Sequence, residues 1–187
     1  MKFVIEDFDD EQKFELKECI ESMSGTVIKN LDSTAVFIVV PPFIMNSIPD
    51  VPNAKIISNY WILDCWHNNI IKDVTYFHKP LVVSHLKPLQ GCVVTITSYT
   101  NLERTFLMNL IKQTGGISQE QLCRVPKDNY LISTHLLSPD ATGRKYTAAV
   151  KWGIPVINKD WLLECATTGK RSPEDNFSVG QVTGKFI

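Results

Sequence analysis

The sequence has no long apolar run and no motif typical of an enzyme. Among its 187 residues no apolar stretch approaches the roughly 18 that a membrane-spanning helix needs, and Glu6 and Asp7 come too early for a signal peptide. There is no GxSxG or Walker pattern, the four histidines lie apart, and no pair of acids is placed for acid–base catalysis. We therefore expect no membrane segment, no secretion and no catalytic activity, which leaves the cytosol or the nucleus.

The cysteines do not form a pattern that indicates a disulfide framework or a zinc site. There are five, scattered along the chain, with no CxxC and no adjacent histidine. Most lie among apolar neighbours, so we predict that they are reduced and buried. No metal and no cofactor is expected.

The net charge of −1 conceals a difference between the two halves of the chain. The part before residue 90 has 8 basic and 12 acidic residues, whereas the part after it has 11 basic and 8 acidic residues. The first part is therefore acidic by four charges and the second basic by three. An anionic ligand, if there is one, should bind to the second half.

A short sequence recurs and divides the chain. Residues 57 to 65 read ISNYWILDC and residues 157 to 165 read INKDWLLEC, so that Trp61 and Trp161 lie 100 positions apart. Such a repeat indicates two copies of one unit, and the length suits two domains of roughly 90 residues. Because both tryptophans lie in predicted amphipathic helices, we interpret them as core residues and not as stacking platforms for nucleic-acid bases.

Each copy follows one order of predicted elements: strand, helix, strand, strand, helix, strand, helix. The continuous apolar third strands indicate a parallel sheet covered on both faces, so the predicted fold is α/β with a four-stranded parallel sheet flanked by helices in each domain. In the first copy the second helix is vestigial, because FIMNSIPDVPN carries Pro49 and Pro52 and makes one turn at best. The second copy has a full helix there, GRKYTAAVKWG.

These patterns give domain boundaries. We predict one domain over residues 1–75, an extended inter-domain connector over 76–90, and a second domain over 91–187. The tail after Pro173 has little periodicity, and we expect it to be frayed or extended. The first predicted strand starts at Lys2, which suggests a fragment excised from a longer protein.

The residues resemble those of BRCT domains, the small phosphoprotein-recognition modules of DNA repair and checkpoint proteins. The resemblance is carried by the order of elements, by Gly115-Gly116 after the first helix, by the Thr134-His135-Leu136 strand, and by tryptophan followed by cysteine in each final helix. The motifs KYTAAVKW, WLLE, TGKR and E-x-x-F make it more specific in the second half. It implies a non-enzymatic module of a nuclear checkpoint scaffold whose partners are phosphorylated repair or checkpoint proteins.

The resemblance also implies a site. The family holds phosphoserine or phosphothreonine with a Ser or Thr at the end of the first strand, the N–H of a following glycine, and a lysine at the start of the second helix. These positions fall on Thr97, Ser98 and Lys145, with serine in place of the usual glycine. Arg124 resembles a supporting basic residue in some members, although a solvated loop position explains it equally well.

Other basic residues of the second half have two interpretations. They can steer an acidic peptide or lie on the surface without a role; they are Arg144, Lys151, Lys170 and Arg171. In the first copy Glu6 and Asp7 stand where Thr97 and Ser98 stand in the second, and two carboxylates would repel a phosphate. We therefore expect the first domain to be structural. Direct binding of nucleic acid and self-association as a dimerisation module remain alternative functions.

Overall fold

The described residues of the computed structural model are 1–29, 36–45, 47–48, 51–52 and 54–180. They form two compact units, Met1–Val82 and Val83–Ile187. Each unit contains a four-stranded sheet whose strand pairs are all parallel. The predicted fold class is confirmed.

The first unit begins with a strand and a helix that the sequence delimits clearly. Its elements are β1 (Lys2–Ile5), α1 (Asp10–Ser22), β2 (Thr26–Val27), β3 (Val36–Val40), β4 (Phe43–Ile44), β5 (Ala54–Ser58), α2 (Asn59–Asn68), a 3-10 helix (Tyr76–His78) and β6 (Leu81–Val82). Asp9 caps α1 by accepting a hydrogen bond of 2.8 Å from the N–H of Gln12. The sheet order is β2-β1-β3-β5, with the apolar faces of α1 and α2 packed into the core around Trp61.

The second unit has the same strand order. Its elements are β7 (Val93–Ile96), α3 (Asn101–Gln113), β8 (Ile117–Gln119), β9 (His135–Leu137), α4 (Gly143–Trp152), β10 (Val156–Ile157), α5 (Lys159–Thr168) and a 3-10 helix (Glu174–Phe177). The order β8-β7-β9-β10 matches β2-β1-β3-β5 strand for strand. Because β7 connects to β8 on one side and β9 connects to β10 on the other, the pair β7 and β9 forms a topological switch point, where ligands of open parallel sheets bind.

The repeated tryptophans have equivalent roles in the two units. Trp61 and Trp161 are 2% and 0% exposed, and each lies in the last helix of its unit. The indole N–H of Trp61 donates to the carbonyl of Lys72 at 2.9 Å, and that of Trp161 donates to the carbonyl of Ser172 at 2.8 Å. Each tryptophan fills the core, as the repeat predicts, and its indole N–H also fixes the segment that follows its helix.

The segment after β3 contains a strand that the sequence does not predict. Phe43 and Ile44 form β4, which pairs in parallel with Leu81 and Val82 of β6. Among the described residues between β3 and β5 there is no helix. A two-residue strand shows no alternation of apolar and polar residues, so its pairing with a distant partner leaves no pattern in the sequence.

The tail after Pro173 also departs from the prediction. Glu174 accepts hydrogen bonds from the guanidinium of Arg171 at 2.7 Å and lies 3.1 Å from Nε2 of the buried His135. Burial disfavours the carboxylate, but the hydrogen bonds from Arg171 and His135 outweigh it and lower the pKa of Glu174 to about 2. The expectation of a frayed tail is wrong for this part of it, and residues 181–187 lie outside the described residues.

All five cysteines are buried and have free thiols; they are Cys19, Cys65, Cys92, Cys123 and Cys165. Burial raises the pKa of four of these thiols, those of Cys19, Cys65, Cys92 and Cys165. A raised pKa leaves little thiolate at neutral pH, so these are packing residues. In the ranges that the structure describes, no group of histidine, cysteine and acidic side chains is arranged to hold a metal ion.

Candidate functional site

The end of strand β7 presents two polar groups that have no hydrogen-bond partner among the described residues. The Thr97 N–H continues the sheet by donating to the carbonyl of Leu137 at 3.0 Å, and the chain then turns at Ser98, whose φ is +63°. Within the ranges that the structure describes, neither the Thr97 hydroxyl nor the Ser98 N–H makes a hydrogen bond. Ser98 is exposed and Thr97 is half-buried. Both groups are therefore available to a ligand.

Lys145 is brought to the same strand end by α4. Its ammonium donates to the carbonyl of Glu120 at 2.6 Å and to that of Ile96 at 3.4 Å, and Ile96 is the residue immediately before Thr97. Burial lowers the pKa of Lys145, the charge of Arg104 lowers it further, and Glu120 opposes both. The structure thus places a half-buried cation beside the free groups of Thr97 and Ser98.

Arg104 is a second cation at this strand end, and the sequence analysis missed it. Its guanidinium donates to the carbonyl of Ile96 at 3.2 Å, the same atom that Lys145 contacts, and pairs with the carboxylate of Glu120 at 2.9 Å. A signal existed: Arg104 lies in the first turn of the helix that follows β7, and the first turn of such a helix lies at the carboxyl end of the sheet.

Arg124 is not joined to the other site residues by any contact. It is exposed on the segment between β8 and β9. Its side chain makes no hydrogen bond or ion pair with a described residue. Lys145 thus binds the carbonyl next to Thr97 and Ser98, whereas no hydrogen bond or ion pair among the described residues links Arg124 to this strand end.

The helix N-termini at the site are not capped by side chains. Neither Thr100 at the start of α3 nor Thr142 at the start of α4 makes a side-chain capping bond, whereas Asn158 caps α5. Helix N-termini carry unpaired N–H groups and a partial positive charge that favour anions. Together with the two cations, they give this edge of the sheet the features of a phosphate site.

The first unit has the same backbone at this place but the opposite charge. The N–H of Glu6 donates to the carbonyl of Val39 at 3.0 Å, and Asp7 has a φ of +60°, as Thr97 and Ser98 do in the second unit. The carboxylate of Asp9 then caps α1. Acidic side chains thus occupy the position that is open and basic in the second unit.

The chain folds into two small α/β domains in tandem. Each has a four-stranded parallel sheet of order 2-1-3-4, and the second has a cationic strand end. Comparison with known proteins agrees: the BRCA1 C Terminus (BRCT) domain family matches residues 1–66 and 84–166. The chain belongs to the BRCT family. No helix within the described ranges is long and apolar enough to cross a membrane.

The relatives include proteins named for checkpoint control and for regulation of transposition. The chain is 31% identical over 114 residues to the S-M checkpoint control protein rad4 of Schizosaccharomyces pombe, covering 60% of this chain and 16% of that protein. It is 28% identical over 107 residues to the Regulator of Ty1 transposition protein 107 of Saccharomyces cerevisiae, covering 54% of this chain and 9% of that protein. The chain thus spans a small part of the length of these relatives.

Solved structures share the fold. The crystal structure of S. pombe Rad4 BRCT3,4 superposes with a TM-score of 0.79 at 18% identity, covering 96% of this chain and 97% of that one. The crystal structure of yeast Rtt107 and Slx4 gives a TM-score of 0.59 at 19% identity, covering 94% of this chain and 42% of that one. At these identities the likeness shows the tandem architecture.

Proposed function

We propose that the second unit binds phosphoserine or phosphothreonine in a partner protein, through Thr97, Ser98 and Lys145. The observation that carries the proposal is the position of the Lys145 ammonium on the carbonyl of Ile96, next to the unpaired hydroxyl of Thr97 and the unpaired N–H of Ser98. A phosphate oxygen can accept from the hydroxyl and the N–H while the ammonium balances its charge.

The electrostatics support a doubly charged ligand. A phosphorylated side chain carries a charge of about −1.5 to −2 at neutral pH. Burial already disfavours the charged form of Lys145, and Arg104 adds like charge beside it. A phosphate bound beside Lys145 offsets both the burial of the ammonium and its repulsion by Arg104, because its negative charge stabilises the charged form of the lysine.

Serine at position 98 is compatible with this role. Its φ of +63° lies in the left-handed region that glycine enters without steric cost, and the backbone has the same conformation at Asp7 in the first unit. The N–H therefore keeps the direction that a glycine would give it. The Ser98 side chain is exposed and adds only a small group beside the phosphate.

Several features support a scaffold module of the DNA-damage response. The motifs KYTAAVKW, WLLE and TGKR resemble the fifth BRCT repeat of the topoisomerase-II-binding checkpoint scaffold, and we propose that the chain corresponds to its fourth and fifth repeats. The S. pombe relative is named as a checkpoint control protein, and solved structures of yeast Rtt107 include Slx4 or Mms22. The proposed role is nuclear and non-enzymatic, with phosphorylated repair or checkpoint proteins as partners.

We propose different roles for the two domains. We assign residues 1–75 to a degenerate domain that supports the fold, residues 76–90 to a connector and residues 91–187 to the phosphate-binding domain. The acidic strand end at Glu6 and Asp7 argues against an anion site in the first domain. Arg124 is assigned a supporting contact with the peptide beside the phosphate.

The test compares a phosphopeptide array with its unphosphorylated copy, followed by charge reversal at the site. Lys145→Glu should abolish binding of the selected phosphopeptide, because it removes one charge-assisted bond and places a carboxylate against the phosphate. Asp7→Lys, at the strand end of the first unit, should leave the affinity unchanged. Unchanged affinity of a folded Lys145→Glu protein, checked by circular dichroism, would refute the assignment.

Two further measurements separate this function from its alternatives. A salt titration with duplex DNA reveals a nucleic-acid-binding module by a steep loss of affinity as salt increases. Light scattering with and without phosphopeptide reveals self-association. Phosphorylation-dependent peptide binding with no DNA binding is the result that we expect.

A further inference from the structure

A groove runs along the exposed face of α4, beside the candidate phosphate site. It has a volume of about 650 Å³ and is lined by Gly143, Arg144, Thr147, Ala148, Lys151 and Trp152. Three of the lining residues are small, Gly143, Thr147 and Ala148, and Trp152 is half-buried. The phosphate contacts described above do not use the side chains of these residues.

The groove carries two cations without partners. Arg144 and Lys151 are exposed, and their side chains make no hydrogen bond or ion pair with any residue in the part of the chain that the structure describes. Helix α4 contains no acidic residue. By contrast, Arg104 and Arg171 are each paired with a carboxylate. Arg144 and Lys151 thus have no ion-pair partner among the described residues of their own unit.

Helix geometry places the groove next to Lys145 along α4. Lys145, Ala148 and Trp152 follow one another at intervals of three and four residues, so they form one row along α4. Arg144 and Lys151 form the neighbouring row, and the groove lies between the two. Trp152 is seven residues from Lys145, a distance of about 10 Å along the helix axis. An extended peptide covers this distance in about three residues.

We propose that this groove binds an acidic stretch of the same phosphopeptide, formed by the three residues next to the phosphorylated one. The inference rests on the proposed phosphate site. Its occupant is an acidic segment because the exposed charges are both positive and lack partners, and because Gly143, Thr147 and Ala148 leave room for a peptide backbone to approach the helix. The second unit would then bind the phosphate and a cluster of carboxylates of one peptide at the same time.

The experiment uses fluorescence anisotropy with designed peptides. One peptide carries phosphothreonine in a neutral background; others have three glutamates, or three lysines, at the three positions directly before or directly after it. The unsubstituted protein should bind one of the two glutamate peptides about three- to tenfold more tightly than the neutral one, as expected for two exposed charge pairs. The lysine peptides should bind more weakly than the neutral peptide.

Charge reversal in the groove provides the decisive comparison. Lys151→Glu should remove the preference for the glutamate peptide and leave the affinity for the neutral phosphopeptide unchanged. Lys112→Glu, an equal change of charge at an exposed position in the last turn of α3, should keep the preference. NMR provides a second readout. The resonance of the Trp152 indole N–H, assigned by its loss in the Trp152→Phe variant, should shift when the glutamate peptide is added and should not shift with the neutral phosphopeptide.

Each outcome bears on one proposal. Equal affinity for glutamate and neutral phosphopeptides, or a preference that survives Lys151→Glu, overturns the groove assignment and leaves the phosphate site intact. Equal binding of a glutamate peptide with and without its phosphate overturns the phosphate site and leaves the groove intact. A Trp152 signal that shifts with duplex DNA and not with the glutamate peptide also overturns the assignment to an acidic peptide.

Discussion

Replacing Arg104 by glutamine tests whether this cation takes part in anion binding. The Arg104 side chain is 21% exposed, whereas that of its partner Glu120 is 64% exposed. A charge-assisted hydrogen bond from such a partly buried guanidinium to a phosphate is worth about 1.5–3 kcal/mol. Arg104→Gln should therefore lower the affinity for a phosphothreonine peptide about 10- to 150-fold. Removal of the well-solvated carboxylate in Glu120→Gln should raise the affinity by no more than about fivefold, since an exposed pair contributes less than about 1 kcal/mol.

The assay is anisotropy of a labelled phosphothreonine peptide at constant ionic strength, because salt screens these charges. The first unit supplies a matched control: Lys13 is the fourth residue of α1, as Arg104 is the fourth residue of α3. Lys13→Gln removes the same charge at the equivalent place and should not change the affinity. If Arg104→Gln binds as tightly as the unsubstituted protein while Lys145→Glu fails to bind, Arg104 only holds the carbonyl of Ile96 and the reasoning is refuted.

Two other predictions concern the backbone turn and the tail. Ser98→Gly keeps the N–H and should bind at least as tightly in calorimetry, whereas Ser98→Pro removes the N–H, requires a negative φ and should not bind; equal binding of both variants would contradict the site. The lowered pKa of Glu174, about 2, means that its carboxylate stabilises the second unit above the ordinary pKa of 4.5 and that this contribution is lost as the pH falls toward 2. Allowing for solvent screening, Glu174→Gln should lower the free energy of unfolding by about 1–2 kcal/mol at pH 7 and not near pH 2. Urea unfolding followed by tryptophan fluorescence measures this difference, and an equal loss at both pH values would contradict the assigned cause.

The sequence predicts the fold well where the signals are local. Helix α2 spans Asn59–Asn68 and contains Trp61 and Cys65 of the repeated sequence, which the pattern assigns to a helix. The β-branched run of β3 forms a strand between two others, and Asn158 caps α5 by accepting from the N–H of Asp160 at 2.9 Å. Each of these features depends on residues within a few positions of one another, so composition and periodicity are sufficient to find it.

Features that depend on distant partners were not predictable in this way. The pairing of β4 with β6 joins two segments of two residues each, 38 positions apart. The docking of the tail depends on Glu174 meeting His135, 39 positions away, and neither residue belongs to a periodic pattern. The same limit explains why Arg104 was missed: its importance appears only when Lys145, 41 positions further on, is seen to contact the same carbonyl.

The resemblance to a family and the geometry contribute different parts of the candidate site. The resemblance indicates which residue types hold a phosphate, and it directs attention to Thr97, Ser98 and Lys145. The structure adds that these residues meet at one strand end, that Arg124 has no contact with them, and that Ser98 has the backbone conformation of a glycine. Physical arguments about charge and burial then make the assignment testable.

The buried cysteines provide a chemical means of following the opening of each unit separately. Cys65 is 0% exposed in the first unit and Cys165 is 0% exposed in the second, and burial raises the pKa of both thiols. An alkylating reagent therefore reacts with either thiol only after the surrounding core has opened. Trypsin digestion places the two cysteines on different peptides. Mass spectrometry of the digested, labelled protein therefore yields an opening rate for each unit in one sample, without any engineered probe.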